Sequence, residues 1–238
     1  MLKLSILSLL LAGTTGLAQA HEFWIEPTGS NQYKVFLGEY DLNAREHFPG
    51  MLDKITASRA IWHSKNSAKD VKSTKATDGF VIEQALAADD SLTFENSSYP
   101  VYDSEHEGKK IKAAWLPAAR YVTGGKPLKP SLTLDVLPTE KVGQFAVTLR
   151  GKPLPEAKVA VITPAGWKRE LSTNAQGQIE LPLPWQGNYL VLVNHTDVKP
   201  GKLKGKSYQI ANYATSLSFQ QNTGAASLPA LAASKMAE

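Results

Sequence analysis

The stretch NYLVLVNH, residues 188–195, carries apolar side chains at both parities of an extended chain: Tyr189, Val191 and Val193 alternate with Leu190 and Leu192. Successive side chains of a strand point to opposite faces, so a strand that is apolar on both faces is buried on both. The segment therefore reads as a central strand covered by a layer on each side. It is also a rigid platform for the residues at its end, beginning with His195.

Outward from this strand, other short apolar or alternating runs are bounded by Gly, Pro, Asn or Asp. They include KVFLGEY (34–40), GFVIEQAL (79–86), AVTLRG (146–151), KVAVITPAG (158–166) and GQIELPLP (177–184). That is the pattern of strands joined by turns. FPGMLDKITASRAIWH (48–63) is the best helix candidate, with helical spacing over part of its length. The fold expected is mostly β, as two immunoglobulin-like antiparallel β-sandwich domains. The Gly- and Pro-rich TGGKPLKPS (123–131) divides a β-rich domain at 21–130 from an immunoglobulin-like sandwich at 131–220. Residues 221–238 are small, polar and Ala-rich and read as a flexible tail, with an amphipathic helix as the alternative.

Residues 1–20, MLKLSILSLLLAGTTGLAQA, read as a secretory signal peptide: Lys3, an apolar run from Leu4 to Leu11, then Ala18-Gln19-Ala20. The apolar run is shorter than the roughly 20 residues that span a bilayer. The expectation is export to the periplasm and no membrane insertion after cleavage. The chain has 238 residues and no cysteine, which excludes disulfides and thiolate metal sites. It carries 26 Lys plus Arg against 22 Asp plus Glu, with both signs interspersed. Its densest basic run, KPGKLKGK (199–206), lies in a Gly-containing loop, so no nucleic-acid partner is expected.

HEFWIEP (21–27) after the Ala-ending leader, GKPLPEAKVAV (151–161) and GQIELPLPWQGNYLVLVNHTD (177–197) together resemble a family of periplasmic proteins linked to nickel and cobalt uptake, called NikM-like. The resemblance covers the start of the mature chain and about Leu132 to Phe219. It implies a periplasmic pair of β-sandwiches, a transition-metal ion as ligand and a membrane uptake complex as partner. The transmembrane helix of some transport-linked members is not seen here.

Cleavage after Ala20 would place His21 at the amino terminus. Its α-amine and ring Nδ1 then close a six-membered chelate suited to Ni, Co, Cu or Zn as divalent ions. Phe23 and Trp24 would anchor that end in the first strand. His195 ends the buried strand, with Asp197 placed to orient its ring, and the resemblance at VNHTD favours a functional role. His106 lies in YDSEHEGKK between Glu105 and Glu107, with Asp103 nearby, where oxygen donors could join an imidazole. His63 and His47 sit beside aromatics and read first as packing or surface residues, His63 being the better ligand candidate.

No HExxH pair, phosphate loop or G-x-S-x-G elbow is present, so any site must be assembled by tertiary folding. The leading expectation is a periplasmic transition-metal binder that captures, buffers or delivers its ion, with His21, His195, His106 and His63 as candidate ligands. One alternative is a copper-dependent oxidative enzyme acting on polysaccharide through an N-terminal histidine brace, which would use Trp115, Trp167 or Trp185 as a stacking face. The other is a metal-free β-sandwich interaction module.

Overall fold

The computed structural model describes residues 21–65 and 67–236. The leader, residues 1–20, lies outside them. In chain order the strands are β1 (Glu22–Gly29), β2 (Gln32–Glu39), β3 (Ala44–Arg45), β4 (Ser58–His63), β5 (Ala68–Val71), β6 (Ser73–Ala76) and β7 (Gly79–Glu83). Next come β8 (Ser91–Asn96), β9 (Tyr102–His106), β10 (Lys109–Val122), β11 (Leu134–Pro138), β12 (Gln144–Leu149), β13 (Lys152–Pro153) and β14 (Lys158–Ile162). The rest are β15 (Lys168–Ser172), β16 (Gln178–Glu180), β17 (Gly187–Asp197), β18 (Gly201–Leu203), β19 (Lys206–Tyr208), β20 (Ile210–Gln221) and β21 (Ser234–Lys235).

The protein is mostly β, and among the described residues the only helices are two short 3-10 turns, Tyr40–Leu42 and Met51–Lys54. The helix expected over 48–63 does not form. Residues Met51–Lys54 near its start form the second of these turns, and its end is β4, paired with β5 and β8. The alternation of Ala60 and Trp62 toward the core outweighs the partial helical spacing.

One large sheet runs β15-β14-β17-β20-β10-β8-β4-β5, with β9 beside β10. Its centre is the parallel pairing of β10 with β20, from Ala113 opposite Ile210 to Val122 opposite Phe219. Strands from before and after the 123–131 stretch therefore share a single sheet. A six-stranded sheet (β21-β3-β2-β7-β6, with β1 on β2) and a four-stranded one (β11-β12-β13, with β16 on β12) cover its two faces.

The double-faced reading of 188–195 is what the packing shows. Tyr189, Val191 and Val193 join Val136, Val147 and Ile179 beneath the four-stranded sheet. On the other face Leu190 meets Trp24, Phe36 and Tyr40. A third cluster places Phe23, Ile25, Val35 and Leu37 against Leu92, Phe94 and Trp115. Successive residues of β1 thus enter two different cores.

β1 pairs with β2 along one edge only. Its other edge rests on β20, where Ser216 Oγ donates to the Phe23 carbonyl at 2.5 Å and Ser218 Oγ accepts from the Ile25 amide at 3.3 Å. Buried backbone groups need such partners. On the opposite face of the large sheet Arg120 and Asp135 form a buried ion pair, 1% and 0% exposed. Arg120 reaches both Asp135 oxygens at 3.0 and 2.7 Å, and Ser91 and Ser131 take further guanidinium protons. Asp135 also accepts from the amides of Ser131 and Leu132. This bidentate pair fastens β10 to the start of β11.

The segment 221–238, expected as a flexible tail, lies along the body as far as residue 236. β21 pairs in parallel with β3, the Leu231 amide donates to Pro164, and the Met236 amide donates to Arg45. No amphipathic helix forms there among the described residues.

Two substitutions test these contacts. Arg120→Leu leaves Asp135 charged and unpaired in the core and is expected to cost about 3–5 kcal/mol in urea unfolding. Ser216→Ala strips the Phe23 carbonyl of its donor and is expected to cost about 1–3 kcal/mol.

Candidate metal site at the head of the first strand

β2 lies between β1 and β3, with Gly38 opposite both Glu22 and Arg45. Gly38 has φ +154°, and a Cβ there would fall on the Ala44 carbonyl, so only glycine lets β3 approach. The Glu46 amide continues this contact by donating to Leu37 at 2.8 Å. The result brings Glu46 back to the head of β1, where its Oε1 lies 2.8 Å from His21 Nε2. Both side chains are largely covered, at 27% and 15% exposure.

When Nε2 of the neutral ring donates to the carboxylate, Nδ1 keeps its lone pair. Glu46 thereby fixes the tautomer and holds the ring. The nitrogen left open is the one that closes a six-membered ring with the α-amine of a chain beginning at His21. Sequence reasoning did not single out Glu46, because it lies 25 positions away and only the Gly38 contact brings it near.

The other histidines stand apart. His195 lies in β17 opposite Tyr213 of β20. The Asp197 carboxylate, expected to orient it, is taken by Arg150, which also reaches the Tyr213 hydroxyl at 3.3 Å. Burial lowers the His195 pKa; Asp197 opposes this and Arg150 adds to it.

His106 ends β9 opposite Lys109, at a hairpin turned by Glu107 and Gly108, both at positive φ. The acidic run beside it faces lysines across the hairpin: Glu105 is opposite Lys110, and Asp103 pairs with Lys112 at 2.6 Å. Local lysines thus balance the carboxylates that the sequence offers to a cation.

His63 closes β4 with Nε2 2.9 Å from Thr93 Oγ1. Burial and the nearby Arg120 lower its pKa. His47 Nδ1 lies 3.1 Å from the Arg45 carbonyl.

Among the described residues no three His, Asp or Glu side chains come together as a metal-binding group. The structure therefore does not gather His21, His195, His106 and His63 into one centre. Nor do the tryptophans form one exposed face. Trp115 packs in the core against Phe23 and Tyr99, while Trp167 and Trp185 meet edge to face at 5.2 Å.

On the other face of β1, Glu22 is buried at 4% exposure. Its Oε1 accepts from the Tyr40 amide at 2.8 Å. Burial pushes its pKa up to about 8; the Tyr40 amide opposes that rise, and Asp41 and Glu39 add to it.

No protein-family model matches this chain, and no curated protein matches it.

Glu22 gives the fold a pH dependence with a definite sign. Its carboxyl binds a proton more tightly folded than unfolded, so its contribution is full below pH 4.5 and is lost as pH rises toward about 8. In EDTA-containing buffer the melting temperature should show this fall across that window. Glu22→Gln, which mimics the neutral acid, should flatten it; an unchanged slope in the variant would refute the assignment.

Proposed function

We propose that the protein is a periplasmic binder of a first-row transition-metal ion, which it takes up at His21 once the chain is cut after Ala20. The observation that carries this reading is the contact of His21 Nε2 with Glu46. A carboxylate behind a histidine raises the basicity of the ring and fixes its orientation, as outer-sphere partners of metal-binding histidines do.

The residues present fit such an ion in a limited sense. The α-amine and Nδ1 supply two nitrogen donors, which suit Cu(II), Ni(II) or Zn(II). With no third His, Asp or Glu gathered among the described residues, water or a partner's side chain completes the coordination. An ion held by so few protein donors can be passed on, which favours capture, buffering or delivery to a membrane uptake complex. The resemblance to NikM-like proteins points the same way. No helix among the described residues is long and apolar enough to cross a membrane.

Calorimetric titration of the protein beginning at His21 with Ni(II), Cu(II) and Zn(II) tests this. One saturable site is expected. A form with one extra residue ahead of His21 loses the amine chelate and most of the affinity, while Glu46→Gln weakens binding by about 10-fold. Equal affinity in the extended form would overturn the proposal.

A further inference from the structure

A groove of about 350 Å³ opens on the face of β1 that carries Glu22. Its walls come from β1, the turn at Tyr40–Leu42, and strands β14, β15 and β17. Glu22, Glu39, Asp41 and Glu170 line it against two cations, Lys158 and Lys168. Lys168 is already engaged, 3.4 Å from Asp41. The groove therefore carries an excess of acidic groups.

Glu22 gives the groove a fixed bonding point. One of its oxygens accepts from Tyr40, and among the described residues the other has no protein partner. A carboxyl oxygen that lines a cavity and has no protein partner is open to a donor from a ligand. Beside the acidic groups the lining includes Asn194 and the apolar Ala160, Ile162 and Leu192. The acids do not converge as a metal-binding group, so the groove suits a ligand with length of its own.

We propose that this groove is a second binding site, which takes a small aliphatic ammonium ion: the charged nitrogen meets Glu22 Oε2 and the methylenes lie on the apolar surface of β14 and β17. An alkylammonium group donates up to three hydrogen bonds and carries no acceptor, the complement of a carboxylate rim. Its hydrocarbon chain gains from contact with the apolar wall. A second ammonium on the same chain would reach toward Glu39, Asp41 or Glu170. The site stands apart from the His21 chelate, which lies on the other parity of the strand.

The test is calorimetry with 1,4-diaminobutane as probe at about pH 9, above the pKa of about 8 so that Glu22 is ionised, in buffer containing EDTA so that the metal site plays no part. Saturable binding is expected, with none for 1,4-butanediol, which has the same chain without charge. Glu22→Gln should weaken binding by about 10-fold, the loss of one charge-assisted hydrogen bond. Circular dichroism checks that this variant is folded. If it is not, the double variant Glu170→Gln with Asp41→Asn, at the groove's rim, carries the same expectation. Absence of saturable heat with the diamine, equal binding of the diol, or wild-type affinity in the folded variant would overturn the proposal.

Discussion

The hydroxyls of Ser216 and Ser218 let an unpaired strand edge rest inside the protein. A free edge is a row of backbone donors and acceptors that must be bonded or solvated. β1 meets that demand with β2 on one side and with two serine side chains on the other. Because no neighbouring strand occupies the second edge, the large sheet can run beneath it. Phe23 and Ile25 then pack on one side of β1, and Trp24 on the other. Larger or apolar residues at the two serine positions would leave the carbonyl or the amide without a partner.

Both proposed binding sites depend on that placement. Strand alternation gives His21 the parity of Phe23 and Glu22 the parity of Trp24. The two residues are adjacent in sequence, yet they face different surroundings: Glu46 for His21, and the Tyr40 turn with β14 and β17 for Glu22. The buried anchors of β1 hold its first residues still, which a frayed terminus could not offer either ligand.

What could be read in the sequence was what depends on local pattern. The two-parity alternation of 188–195 exposed the central strand, and turn residues marked β2, β7, β12, β14 and β16. Contacts between distant segments were hidden. Glu46 reaches His21 only because Gly38 lacks a side chain, and Arg120 finds Asp135 through the pairing of β10 within the large sheet. Cross-strand pairing likewise explains why His106 looked like a cation site: Lys110 and Lys112 are near in sequence, but their positions opposite Glu105 and Asp103 emerge only in the hairpin. The Ala-rich end read as a tail because its attachment to β3 is made by backbone groups, which composition does not reveal.

The parallel pairing of β10 and β20 ties the two halves more closely than the 123–131 stretch suggests. Parallel partners cannot be joined by a tight turn; here almost the whole second half of the chain intervenes between them. Each half ends at a long strand with one partner in the other half, and Arg120 adds a charge that Asp135 neutralises. Separated at residue 130, each half would expose a long sheet edge, and the first would lose the carboxylate that pairs with Arg120. Ser216 and Ser218, which hold the strand carrying His21 and Glu22, also lie on β20. The second half therefore shapes both sites although it contributes no donor to the His21 chelate.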